Sequence, residues 1–134
     1  MANLKDTNID GSLTVNDKDV NVIEEFYDGN DGWRYIKYTN GLINLYYYVT
    51  KDTISINSAY GNFYQGTKVI NFPFKLQKIF HAGIGLCQTG TGATWGVIRA
   101  MNTSYFEVRI FDIVSRSGAN SYTDWSAYFA GLWK

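Results

Sequence analysis

Trp33-Arg34-Tyr35-Ile36-Lys37-Tyr38-Thr39-Asn40-Gly41-Leu42-Ile43-Asn44-Leu45-Tyr46-Tyr47-Tyr48-Val49 is the stretch whose reading decides the fold. Two runs rich in aromatic and β-branched residues flank Asn40-Gly41, the dipeptide most strongly associated with a tight hairpin. A type I′ turn is the expectation, because Asn and Gly both tolerate positive φ. In the first arm Trp33, Tyr35 and Lys37 share one face. In the second, Ile43, Leu45, Tyr47 and Val49 alternate with Asn44, Tyr46 and Tyr48. A period of two means strands.

Working outward, the same period recurs. Thr67 to Phe72 reads as a strand ended by Pro73, the single proline, which cannot donate to a ladder and belongs at a strand end or edge. Ile79 to Cys87 is a strand with Gly83 and Gly85 on one face, which suggests a bend or the close approach of another backbone. Thr94 to Met101 places Trp95, Val97, Arg99 and Met101 together. Tyr105 to Val114 sets Phe106, Val108 and Ile110 against Tyr105, Glu107, Arg109 and Phe111. Asp124 to Trp133 closes the chain with Trp125, Ala127, Phe129, Gly131 and Trp133 on one side. Lys51 to Asn57 is a weak strand, and Ser58 to Gly66 an aromatic-bearing loop. No window has helical period. Short strands at this spacing predict an all-β antiparallel sandwich over 32–134.

Residues 1–31 are polar and turn-rich. Ile9, Leu13 and Val15 form one small apolar group and Val20, Val22 and Ile23 another, too little to fold alone. A short β-structured arm or neck is expected, with its boundary at the turn cluster Asp28 to Gly32. It should pack on the head or on copies of itself in an oligomer.

Composition narrows the function classes. The chain has 134 residues, 46% hydrophobic and 18% charged, which predicts one packed domain with an appendage. Nine acids face five bases up to Asp52, and three face seven beyond it, for a net charge of zero. No dense basic patch is present, so no nucleic-acid partner is expected. The N-terminus lacks a signal-peptide core and no stretch has the length of a membrane span, so synthesis in a cytoplasm and no membrane partner are expected. Cys87 and His81 are each the sole residue of their type, which leaves no intrachain disulfide and no Cys- or His-rich metal centre. The acids from Asp10 to Asp19 lack EF-hand spacing. No metal and no cofactor are expected.

No catalytic residue is assigned either. His81 with Asp112 or Asp124 is the nearest approach to a base and its orienter, but no nucleophile elbow accompanies it. Glycoside hydrolysis needs paired carboxylates, and Glu107 and Asp112 have opposite parity on one strand.

Three motifs carry a family resemblance. Gly32-Trp33-Arg34-Tyr35-Ile36-Lys37-Tyr38-Thr39-Asn40-Gly41 resembles the G-W-x-Y-x-K-x-x-[ND]-G opening of distal domains on bacteriophage tail fibres and receptor-binding proteins. Val69-Ile70-Asn71-Phe72-Pro73-Phe74 resembles their v-x-F-P-x-x-F, shared with H-type lectins, with the second Phe here directly after Pro73. Ala127-Tyr128-Phe129-Ala130-Gly131-Leu132-Trp133-Lys134 resembles their terminal A-x-G-x-W-K. Asn3 to Val15 is similar to the G-x-L-x-V repeats of fibre necks. The resemblance implies a homotrimer on a virion tail tip or fibre, bound to other tail or baseplate proteins through the N-terminal arm. It implies host recognition through bacterial cell-surface saccharide. The alternatives are a purely structural tail component or a glycan depolymerase. No lectin motif matches residue by residue, so the family supplies no binding residues.

Sugar recognition needs flat aromatic faces beside oriented polar groups. Tyr60, Asn62, Tyr64 and Gln65, and Arg116, Asn120, Tyr122 and Asp124, have that character in loops, with Trp95 and Trp125 as further stacking faces. The loop Ser115 to Tyr122, together with Tyr60 to Gln65, is the expected saccharide site, used in triplicate. Its position at the distal end follows from the family.

Overall fold

The computed structural model describes residues 14–15, 18–19, 21–27, 29, 31–90, 93–117 and 122–134. The strands are β1 (Thr14–Val15), β2 (Lys18–Asp19), β3 (Val22–Tyr27), β4 (Gly32–Tyr38), β5 (Leu42–Asp52), β6 (Ser58–Tyr60), β7 (Phe63–Asn71), β8 (Lys78–Gln88), β9 (Thr94–Met101), β10 (Tyr105–Asp112) and β11 (Thr123–Leu132). Two antiparallel sheets pack face to face as a β-sandwich. One has the order β3-β4-β5-β11-β8, the other β6-β7-β10-β9, and β1 pairs with β2 separately.

The hairpin at Asn40-Gly41 forms, with a different turn. Lys37 pairs with Ile43, so the loop is Thr39 to Gly41. The Gly41 N–H donates to the Tyr38 carbonyl over 3.1 Å, and Gly41 has φ 94° while Asn40 is not among the positive-φ residues. That is a type I turn closed by a left-handed glycine, not type I′. The chain end docks on it, with the Trp133 N–H donating to the Gly41 carbonyl and its indole Nε1 to the Tyr38 carbonyl, both over 2.9 Å.

The inward faces follow the period of two. Tyr35, Ile43, Leu45, Trp125, Ala127 and Phe129 from one sheet meet Ile70, Phe106, Val108 and Ile110 from the other, all buried. Ile54, Ile56, Phe72 and Leu76 from connecting segments close the ends. Trp33 roofs this layer, within 5.4 Å of Phe72 and 6.0 Å of Phe129 between ring centroids, and its Nε1 donates to the Asn71 carbonyl. Pro73 does follow a strand end, at Asn71.

Three readings change. β3, assigned to the arm, is the edge strand of the five-stranded sheet and pairs with β4 from Val22↔Tyr38 to Tyr27↔Arg34. The sheet therefore crosses the boundary drawn at residue 31. Residues 58–66 are a hairpin, because Gly61, with φ 60°, leads a two-residue turn between Tyr60 and Phe63. Residues 51–57 are not one strand: β5 runs on to Asp52, and beyond it Ile56 makes a single bridge to Arg116.

Candidate functional site

Four of the residues expected from the sequence, Trp125, Arg116, Asp124 and Tyr64, are engaged within the fold. Trp125 is a correction: it is 0% exposed, in the middle of the core, and its Nε1 donates to Asp52 Oδ2 over 2.8 Å. A ring enclosed on β11 offers no face to a ligand. Arg116 is tied to the end of its own sheet. Its Nε donates to Asp112 Oδ2 over 2.9 Å, and its backbone exchanges hydrogen bonds with Ile56. Asp112 is fully buried and also accepts from Thr94, Thr89 and the Val114 N–H. Burial opposes its charge, but these hydrogen bonds outweigh that and hold its carboxyl below the usual range. Arg116 thus pins the loop to the end of β10. Asp124 Oδ1 is taken by the Lys51 N–H over 2.7 Å, where Lys51 carries φ 52°. Tyr64 is half-buried against the core. Tyr122 is exposed, and Asn120 lies outside the described residues.

Tyr60 and Trp95 do come together, on the outer face of the four-stranded sheet. Trp95 stacks on Phe111 at 5.3 Å and 15°, Tyr60 meets Phe111 edge-on at 5.3 Å, and Phe63 meets Trp95 at 5.0 Å. This surface is aromatic. His81 is not paired with Asp112. Its ring packs on Tyr128, 5.4 Å between centroids.

The best-formed hollow lies on the opposite side of the molecule, on the outer face of the five-stranded sheet. Its volume is about 890 Å³. Strand register builds it. Tyr27 pairs with Arg34, Arg34 with Tyr46, Tyr46 with Tyr128, and Tyr128 with Gly83, which makes one row across five strands. One step along, Gly32, Tyr48 and Ser126 form the next row. Four tyrosines therefore share one sheet face, and the β3–β4 loop adds Gly29 and Asp31 at its edge.

The floor depends on two glycines. A Cβ at Gly83 would overlap the hydroxyl and ring carbons of Tyr128, and one at Gly85 would lie 2.9 Å from Ser126 Oγ. The Tyr128 ring thus lies over the strand where a side chain would stand. The sequence suggests a bend or the close approach of a backbone at Gly83 and Gly85; the atoms that approach there belong to the side chains of Tyr128 and Ser126.

Polar groups rim the hollow. The Arg34 guanidinium sits 4.0 Å over the Tyr27 ring, and Tyr27 is 60% exposed. Asp31 Oδ2 accepts from Thr50 Oγ1 over 2.6 Å and from the Thr50 N–H over 2.9 Å. Those two bonds, the hydroxyl first, hold the Asp31 carboxyl below the usual aspartate range. Ser126 Oγ accepts from the Leu86 N–H over 2.8 Å, which leaves its own proton directed elsewhere. The arrangement offers aromatic faces, a guanidinium donor and a fixed carboxylate acceptor. Among the described lining residues Asp31 is the one carboxylate. In the sequence Tyr46 and Tyr48 alternate with Ile43, Leu45, Tyr47 and Val49, but only the strand order joins them to Tyr27 and Tyr128.

Compared with protein-family models, curated proteins and solved structures, the chain matches none.

Proposed function

We propose that the chain is the saccharide-binding head of a receptor-binding protein of the phage-tail type, and that the tyrosine-lined hollow is its binding site. The observation that carries the reading is Tyr128 laid over Gly83 as a floor, with Tyr46, Tyr48 and Tyr27 beside it and Arg34 and Asp31 at the rim. A pyranose ring presents a C–H face and a belt of hydroxyls, and this surface presents the matching rings, donor and acceptor. A single carboxylate among the described lining residues favours binding over hydrolysis, which uses two. Individually weak sites of this kind suit a homotrimer on a virion, where linked copies multiply affinity for a host cell surface. The test is a glycan array with the intact protein and Tyr48→Ala, whose ring is exposed and outside the core. Binding that the substitution abolishes, with an unchanged melting curve, supports the site; an array with no bound saccharide refutes it.

A purely structural role has its own observation, the aromatic surface of Tyr60, Phe63 and Trp95 on the other sheet. Exposed apolar patches of this composition mark protein contacts. In that reading the face meets a second copy or another tail protein, and light scattering with Trp95→Asp separates it from the first. Loss of an oligomer with glycan binding retained gives the two faces separate roles.

A further inference from the structure

The tyrosine hollow does not end at Tyr46 and Tyr128. The next row along the strands is Ile36, Asn44, Ala130 and His81, and beyond it lie Tyr38, Leu42 and the exposed Phe80. Asn44 and Ala130 are short, so the floor continues between them at low relief. There a second hollow of about 380 Å³ opens, lined by Tyr38, Asn40, Leu42, Asn44, Phe80 and Ala130. It lies on the same outer face and shares β5 and β11 with the first.

Along β5 the outward residues are Thr50, Tyr48, Tyr46, Asn44 and Leu42, and all of them line one hollow or the other. At about 3.3 Å per residue this path is on the order of 25 Å long. That exceeds one or two pyranose rings. The two hollows also repeat one chemistry. Each has a ring available for stacking, Tyr128 in the first and Phe80, 54% exposed, in the second. Each has a planar polar side chain beside it, Arg34 at the first and Asn44 at the second. Phe80 reaches the outer face because the β8–β11 register shifts between Ala130 and Gly131.

Building on the saccharide reading of the first hollow, we propose that the two form one groove that takes an internal stretch of a polysaccharide, at least three sugar rings laid along β5, and not a terminal sugar. A terminal sugar would be closed off on one side, and here both hollows lie on one continuous sheet face.

The experiment uses the intact protein and an array of size-graded oligosaccharides, from monosaccharide to octasaccharide, on neutral hexose, N-acetylhexosamine and hexuronate backbones. Affinity for the bound backbone is expected to rise at least tenfold from disaccharide to tetrasaccharide and then level off. Phe80→Ser is expected to remove most of that rise and leave disaccharide binding unchanged, whereas Tyr48→Ala weakens both. Both rings are exposed, and melting curves confirm that both variants fold. A disaccharide bound as tightly as the tetrasaccharide overturns the extended groove and leaves the saccharide site standing. So does Phe80→Ser without a length-dependent effect. No binding at any length overturns both.

Discussion

Gly83→Ala and Gly131→Ala are the same chemical change on neighbouring strands, and the structure separates their outcomes. A Cβ at Gly83 meets the Tyr128 ring, whose side chain is half-exposed and free to swing outward. One at Gly131 meets the Lys78 carbonyl and the Ile79 Cα, backbone that cannot yield without parting β8 from β11. Gly83 has no positive φ, so alanine fits its backbone and gains roughly 0.5–1 kcal/mol of strand propensity. That gain offsets the packing lost when the ring lifts. The expected change is within about 1 kcal/mol, or about 4 °C in melting temperature. Gly131→Ala should cost about 3 kcal/mol or more, the range of an overpacked site that cannot relax. Two assays read the ring itself. His81, the single histidine, packs on Tyr128, so its imidazole proton resonances should move in Gly83→Ala. Loss of one stacked ring, worth about 0.5–1.5 kcal/mol, should weaken oligosaccharide binding roughly two- to tenfold. Gly83→Ala melting as low as Gly131→Ala would show that the ring is locked in place. A stable Gly83→Ala with unmoved His81 resonances and full binding would show that Tyr128 is not the floor.

Trp125→Ala should destabilise by about 3–5 kcal/mol in a denaturant melt, as a core aromatic does, where a ligand-facing ring would cost almost nothing. Asp112→Ala should cost about 3–5 kcal/mol, because it strands Arg116 without its partner in a largely enclosed position. Since the folded carboxyl of Asp112 is held below its unfolded value, its stabilisation is complete above the ordinary aspartate range and lost as pH falls through the folded value; melting temperature against pH should be flatter on the acid side in Asp112→Asn. Burial pushes the Cys87 thiol up to about 11, so at pH 8 only about one molecule in a thousand is thiolate. Alkylation of the folded protein should run roughly two hundred times slower than that of a free cysteine peptide, and return to the peptide rate in denaturant.

The fold was legible where one face of a strand is buried. β5, β10 and β11 each put apolar residues on alternate positions, and the structure buries those positions or packs them against the core, as it does Trp33 and Tyr35 of β4. β3 was misplaced for the converse reason. All six of its residues are exposed, so Val22-Ile23-Glu24-Glu25-Phe26-Tyr27 carries no inside and no outside to read. Its place is set across strands: Phe26 stacks on Tyr35 at 5.1 Å, and Glu24 accepts from the Tyr35 hydroxyl and pairs with Lys37. The β6–β7 hairpin is harder to see, because the turn Gly61-Asn62, with glycine in first place, sits among residues of ordinary loop composition.

The site was not legible, because loop residues and sheet residues face different demands. A polar residue in a loop beside a buried strand end is drawn inward to satisfy backbone and charge that would otherwise be stranded. Arg116 closes on Asp112 for this reason, and Asp124, at the irregular start of β11, is taken up by the Lys51 N–H. A polar or aromatic residue on the outer face of a central strand has its backbone satisfied by the ladder already. Its side chain remains available, as at Arg34, Tyr46, Tyr48 and Tyr128. The signal in the sequence is parity: Tyr46 and Tyr48 alternate with the core residues of β5, Tyr128 with those of β11, and Gly83 and Gly85 mark a bare strip on β8. Joining these requires knowing that β11 inserts between β5 and β8, a pairing of segments far apart in the chain. Aromatic residues on the outward parity of central strands, opposite an outward run of glycines, point to a sheet-face groove more directly than polar loops do.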